Sequence, residues 1–310
     1  MTGTITRRLV AGVLGAGLAL LGAATPAAQA AAPADTSVST GRLVLEPTDR
    51  GYAGSLAVTV TYRGTRASYV NMTITEPVPG AFAGTNPDEP CMYGAPKPVR
   101  TIYCYVPGGA LQPGERRRFT VDFQVLTTPR AYAMSATGGR VTVETGDANP
   151  ANDTRAFDTL FRSTTGSLRD ARPYVWDTAT DASLTVGSAT LTRQEDGSWL
   201  GRLPVTVRVA GDAAHDAYWL EPTLPSGVRL AGSEPQEPCT AACPVAGGPF
   251  MPGEERSLAL LFRAPAEMGP GDLGTGSVRL YGIFGWGGEL TDVDPVDNTA
   301  TFAVTAVAGD

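Results

Sequence analysis

Pro113-Gly114-Glu115 runs into Phe119-Thr120-Val121-Asp122-Phe123-Gln124-Val125, and Pro252-Gly253-Glu254 runs into Leu258-Ala259-Leu260-Leu261-Phe262-Arg263-Ala264. In each stretch a turn is followed by apolar side chains at every second position, the pattern of a strand with one buried face. The same landmarks recur on either side in the same order. Glu89-Pro90-Cys91, Cys104 and Asn149-Pro150-Ala151-Asn152 surround the first stretch; Glu237-Pro238-Cys239, Cys243 and Asp294-Pro295-Val296-Asp297-Asn298 surround the second. Upstream, Leu56, Val58, Val60 and Tyr62 alternate with smaller or polar residues, as do Leu203, Val205, Val207 and Val209. An ordered series of matching landmarks implies two copies of one folding unit.

No sustained helical period follows residue 30, and Gly and Pro punctuate the chain at short intervals. The pattern predicts an all-β protein with two sandwiches in tandem. The first is placed at 36–162 after a short tail at 31–35, and the second at 174–310. A linker is placed at 163–173, where Ser, Thr, Gly and charged residues replace the alternation. The first copy has a loop about nine residues longer between its cysteines, and the second an insertion of about six within Gly282 to Asp292. Length differences confined to the segments between strands fit one scaffold with variable loops.

Met1 to Ala30 reads as a secretory signal: Arg7 and Arg8, an apolar run from Leu9 to Leu21, and Ala28-Gln29-Ala30 as the cleavage pattern. Thr6-Arg7-Arg8-Leu9-Val10 leaves both the general and the twin-arginine route open. No later stretch is apolar enough to span a bilayer, so the expected product is extracellular, with no membrane insertion. Losing Arg7 and Arg8 takes the formal charge from −7 to −9. An acidic surface argues against nucleic acid as a partner.

The Pro-Gly-Glu turn entering a strand, and the closing Asn149-Pro150-Ala151-Asn152 and Asp294-Pro295-Val296-Asp297 before an alternating last strand, resemble the bacterial Ig-like tandem repeats of the CARDB and conserved-repeat type. That resemblance implies Ig-like sandwiches acting as spacers or interaction modules on secreted and surface proteins. It transfers no catalytic residue. With Lys97 the only lysine among 24 basic residues, the composition resembles that of a GC-rich actinobacterial genome.

Four cysteines, two per copy, in an exported chain predict the disulfides Cys91–Cys104 and Cys239–Cys243. His215 is the only histidine. No nucleophile motif accompanies it, and it reads as a solvated loop residue. No pair of carboxylates is singled out for glycosidase chemistry, so the expectation is not an enzyme. Asp292, Asp294 and Asp297 alternate on a tight turn and form a weak candidate calcium site, set against the tendency of Asp and Asn to bond their own backbone in turns. Trp219, between Tyr218 and Leu220, is expected in the core. Trp286 lies in Phe284-Gly285-Trp286-Gly287-Gly288, inside the insertion, and with Phe284 and Tyr281 is the candidate contact for a ligand or partner.

These readings converge on a secreted, non-enzymatic protein of two Ig-like domains, used for extracellular interaction or as a spacer, its partner an unknown protein or glycan. The first alternative is a carbohydrate-binding module using the loop aromatics of the second domain. The remote one is an extracellular hydrolase, since a fold does not fix a function.

Overall fold

A computed structural model describes residues 35–94, 99–144, 146, 149–285 and 288–308. The leader Met1 to Ala30 lies outside them. The described residues form strands and a single 3-10 turn at Pro150–Asn152. The first half contains β1 (Thr36–Thr40), β2 (Leu43–Thr48), β3 (Gly51–Tyr62), β4 (Asn71–Thr75), β5 (Phe82–Asn86), β6 (Cys91–Tyr93), β7 (Thr101–Tyr105), β8 (Arg116–Val125), β9 (Met134–Glu144), β10 (Thr154–Phe161) and β11 (Arg172–Pro173). The second contains β12 (Ala182–Val186), β13 (Ala189–Arg193), β14 (Trp199–Val209), β15 (Ala217–Thr223), β16 (Arg229–Glu234), β17 (Cys243–Pro244), β18 (Glu254–Ala264), β19 (Gly271–Ile283) and β20 (Thr299–Val307).

Two sheets result, ordered β5-β8-β3-β2-β10-β9-β4-β7-β6 and β16-β18-β14-β13-β20-β19-β15-β17. The second order repeats the first except for the edge strand β6, which has no counterpart. In each sheet an early strand switches layers: β2 pairs in parallel with β10 through Leu43–Leu45, then antiparallel with β3 through Glu46–Thr48. β13 likewise bridges β20 and β14. The sheet thereby doubles over, and the alternating residues of both layers meet inside. Leu56, Val58, Val60, Val121, Phe123, Ile74 and Val141 belong to one buried cluster; Leu203, Val205, Val207, Leu260, Phe262, Val278 and Leu280 belong to the other. Each large apolar side chain removed from water contributes about 1.5–3 kcal/mol, so the alternation read in the sequence is the main driving force for both sandwiches.

The recurring motifs have physical causes. Gly54 and Gly201 lie where β3 and β14 cross the switching strand, and a Cβ there would come within 2.2 Å of the Val44 carbonyl oxygen or 2.3 Å of that of Thr190. Only glycine fits such a crossing. Gly114 and Gly253 have φ of 79° and 80°, which the Pro-Gly-Glu turn demands. The turn then locks a neighbouring loop. Glu115 accepts the Gln112 N–H (2.7 Å) and holds Arg117 (2.8 Å), whose guanidinium donates to the carbonyls of Pro107, Gly109 and Ala110. Glu254 and Arg256 repeat this on Met251 N–H and on the carbonyls of Ala246, Gly248 and Pro249. The Gln112 N–H holds the Glu115 carboxyl below the usual carboxylate range, slight burial opposing it and Arg117 assisting.

Both expected disulfides are present, Cys91–Cys104 and Cys239–Cys243. Because the second closes a short loop, replacing Cys239 and Cys243 by serine is expected to cost about 2 kcal/mol, measured by urea denaturation of the oxidised protein. The longer connection of the second half is also where the sequence places it, at 284–298 against 145–153 in the first. Two expectations change. Trp219 is half-buried on the outer face of β15, and the core is filled instead by its neighbours Tyr218 and Leu220, because alternation sends adjacent residues to opposite faces. The segment 163–173, read as a linker, is held on the first sheet: Arg172–Pro173 pairs with Met134–Ser135, and Tyr174 enters the first core beside Phe161.

Candidate functional site at the junction of the two sandwiches

The chain leaves β4 at Thr75, and the next residue, Glu76, is completely buried. Its carboxylate accepts the backbone N–H groups of Gly80 (3.0 Å) and Phe82 (2.8 Å), and the Nε and Nη2 of Arg100 (3.3 and 3.2 Å). Arg100 crosses the junction: its Nη1 donates to Asp216 Oδ1 at 2.8 Å. The guanidinium lies between two aromatic faces, 4.7 Å from the centroids of both Tyr93 and Phe284. Burial works against the charge on Arg100, but the Glu76 hydrogen bonds and the charges of Glu76 and Asp216 prevail, raising its pKa. Asp216 also accepts the Gly285 N–H (2.7 Å), fixing the start of the 284–298 connection.

The loop before β15, Gly211-Asp212-Ala213-Ala214-His215-Asp216, supplies the rest of the joint. Asp212 accepts Thr127 Oγ1 and the Tyr174 hydroxyl from the first half, both at 2.9 Å, and the Asp177 N–H. Burial, and then the Asp212 charge, push the Tyr174 phenol up, so it donates as a neutral hydroxyl. His215 is not solvated. It is 8% exposed, its Nδ1 lies 2.9 Å from the Ala213 carbonyl, and its Nε2 accepts the Phe250 N–H at 2.7 Å. A carbonyl on one side and an N–H on the other fix the neutral ring with its proton on Nδ1. Burial keeps its pKa below the ordinary histidine value, although the Ala213 carbonyl and Asp216 pull upward. At the rim, Arg50 donates to the Pro249 carbonyl (2.8 Å) and pairs with Glu254 (3.4 Å), joining the two halves at the second Pro-Gly-Glu lock.

Between these contacts lies a cleft of about 650 Å³ walled by Phe82, Tyr93 and Arg100 from one half and by His215, Asp216 and Pro249 from the other. Both His215 nitrogens are occupied by backbone groups, which leaves no ring lone pair to act as a general base. The arrangement fits a fixed joint with a partly aromatic groove.

The sequence candidates fall unevenly on this site. Phe284 belongs to it, but buried under Arg100 and not presented to solvent. Tyr281 stands apart on β19, half-buried, with the Arg279 guanidinium 4.8 Å from its ring centroid. Trp286 lies outside the described residues. Asp292 accepts the N–H groups of Asp294 (2.9 Å) and Ala182 (3.1 Å), and Asp294 accepts that of Val296 (3.2 Å). The Asp297 carboxyl is pushed up by partial burial and by the charges of Asp294, Asp292 and Asp181. Among the described residues no group of three or more His, Cys, Asp or Glu is placed to hold a metal ion. With both Asp292 oxygens and one of Asp294 held by backbone N–H groups, calcium or a chelator is expected to leave the melting temperature unchanged; a rise with calcium would assign the turn to the metal.

No family model matches the chain, and no curated protein sequence matches it. Among solved structures it is similar to the CupB6 tip adhesin from Pseudomonas aeruginosa, at 10% identity and a TM-score of 0.27 over 91% of this chain and 100% of that one. It is also similar to the Yersinia pseudotuberculosis adhesin InvE, at 12% identity and a TM-score of 0.24, over 87% of this chain and 58% of the adhesin. A Porphyromonas gingivalis protein of unknown function gives 12% and 0.23, over 87% and 98%. At TM-scores this low the likenesses carry no argument about function.

Proposed function

We propose that the chain is an exported, non-enzymatic protein of two tandem Ig-like sandwiches, akin to the CARDB and conserved-repeat modules, that presents loops or sheet edges to an extracellular partner or spaces them apart. The observation that carries this reading is the joint. Glu76–Arg100–Asp216 and Thr127–Asp212–Tyr174 tie the two sandwiches together with buried or half-buried polar bonds, which suits a stiff two-unit presenter better than beads on a flexible tether. Two disulfides fit an oxidising compartment, and among the described residues no helix is long and apolar enough to cross a membrane. The leader read at Met1 to Ala30 supplies the export route.

A carbohydrate-binding module working through Trp286 on the 284–298 connection is the second reading, favoured by the anchoring of that connection through Gly285 to Asp216. Incubating the mature chain and Trp286→Ala with a glycan array and with cell-wall polysaccharides separates the possibilities. Retention without turnover, lost in the variant, selects the loop module. Turnover of any polysaccharide overturns the non-enzymatic reading. Neither retention nor turnover leaves the presenter, which then predicts a protein partner recovered from culture supernatant by the intact chain.

A further inference from the structure

The outward face of β6, β7, β4, β9 and β10 carries a set of side chains that the fold does not use. Tyr69 is 64% exposed, Met92 72%, Tyr103 47% and Tyr105 48%. Single exposed apolar residues are ordinary, but Met92, Tyr103 and Tyr105 lie on the adjoining strands β6 and β7, and Tyr69 lies just before β4. Strand pairing places Met92, Tyr103, Thr73, Thr142 and Thr154 in one row across five strands. Tyr105 and Asn71 begin the next row, and the Tyr69 ring lies 5.6 Å from that of Tyr105. Tyr103 and Tyr105 share a face of β7, about 7 Å apart along the strand. Cys104 between them is bonded to Cys91, so the disulfide staples the edge strand β6 directly behind the two tyrosines.

We propose that this face is a binding platform for a neutral polysaccharide chain. The proposal rests on the reading of the protein as an extracellular interaction module and names its partner class. Three observations select the occupant. The row through Tyr103 holds no charged side chain; Glu144 ends the Tyr105–Asn71 row two strands from Tyr105, and Arg140 lies one row away on the other side, so a ligand seated along the Tyr103 row meets no charge and has opposite charges at its two margins, which suits an uncharged ligand. Its chemistry is that of rings flanked by hydroxyls and an amide: the C–H faces of sugar rings stack on tyrosine, and their hydroxyls bond to Thr73 and Asn71, while the Thr142 and Thr154 hydroxyls, bonded to each other at 3.0 Å, keep one O–H and further lone pairs for a ligand. The stapled edge is ordered before binding, which lowers the entropy cost of immobilising a flexible chain on it. The equivalent face of the second half also carries aromatic and apolar groups in register, Pro244–Trp219–Tyr281 across β17, β15 and β19. Both copies therefore place rings on the outer face of the same layer.

The test is depletion of the intact mature chain by insoluble cellulose, chitin and β-1,3-glucan, with a neutral glycan array in parallel. Wild type is expected to be retained by at least one of these, and retention is expected to survive about 1 M salt, as uncharged recognition requires. The double variant Tyr103→Ala/Tyr105→Ala is expected to bind about tenfold or more weakly, whereas Tyr103→Phe/Tyr105→Phe, which keeps the rings, binds as wild type. Both tyrosines are exposed, and melting temperatures close to wild type confirm that the fold is intact. Retention by none of the polysaccharides, retention abolished by salt, or retention unchanged in the double alanine variant overturns the proposal. Loss in Trp286→Ala with the tyrosine variants unaffected also overturns it and selects the loop module. A protein partner captured without any glycan retention overturns it while leaving the two-unit presenter in place.

Discussion

Arg100→Leu is expected to destabilise the protein by roughly 3–5 kcal/mol, because it strands a carboxylate with no access to water. The Glu76 side chain is 0% exposed. Without Arg100 it keeps only the N–H groups of Gly80 and Phe82, which satisfy hydrogen bonds but do not neutralise a charge. Glu76→Gln combined with Arg100→Met removes both charges and is expected to recover much of the loss, since the cost lies in the unpaired ion more than in the absent bond. Asp216→Asn is expected to be milder: that side chain is 39% exposed, and an amide oxygen still accepts from Arg100 or Gly285. Urea titrations at pH 7 read all three. In Asp216→Asn the unfolding transition is expected to broaden, because one of the bonds crossing the junction is weakened while each core and the Asp212 and Arg50 contacts are untouched. A loss below about 1 kcal/mol in Arg100→Leu would mean that water reaches Glu76, and the joint would then not be the brace described above.

The parts of this molecule legible in its sequence are those written in local pattern. Alternation gave β3, β8, β14 and β18 with the correct buried face, since a period of two needs only neighbouring residues. The cysteines paired as expected because each pair is confined to one copy. The joint was hidden for the opposite reason. Arg100 and Asp216 are 116 residues apart, and charged residues in loops ordinarily mark solvent. A usable sign was present nonetheless: the lone histidine lies in a short loop flanked by Asp212 and Asp216, an unusual concentration of polar groups just before a core strand. Trp219 is not placed by its sequence because Tyr218-Trp219-Leu220 is apolar throughout, so alternation alone does not say which parity faces inward. The neighbours decide it: Tyr218 bonds to Thr180 inside the sandwich, with its phenol pushed up to about 12 by burial. In the sequence Phe284 looks like a loop aromatic open to partners; in the fold it is buried, with the Arg100 guanidinium 4.7 Å from its ring centroid.

His215 makes the stability of the joint depend on pH, and the direction follows from its bonds. Nε2 is an acceptor for the Phe250 N–H, so protonation there breaks that bond and sets two donors against each other in a buried site. The charged groups facing the ring are mixed: Asp216 and Glu254 favour protonation, Arg256 opposes it, and burial, the largest influence, also opposes it. The folded pKa is therefore below the unfolded value of about 6.5, and the unfolded chain binds the extra proton. Stability from this residue is fully present above about pH 6.5 and declines as pH falls toward the folded pKa, by at most about 1.4 kcal/mol per pH unit. The consequence extends beyond the ring. Phe250 follows Pro249, whose carbonyl takes Arg50 from the other half, and Asp216 follows His215, so a shift of this loop loosens these two of the inter-sandwich contacts. Melting curves from pH 8 to pH 5 are expected to fall more steeply for wild type than for His215→Phe, which fills the site without titrating. That variant is expected to be about 1–3 kcal/mol less stable at pH 8, because the Phe250 N–H loses its acceptor. Since His215 is the only histidine in the chain, the difference between the two curves isolates its proton. Parallel curves would mean that water enters beside Phe250 and accepts its N–H when the ring is charged, and a steeper fall in His215→Phe would place the titrating group elsewhere at the junction.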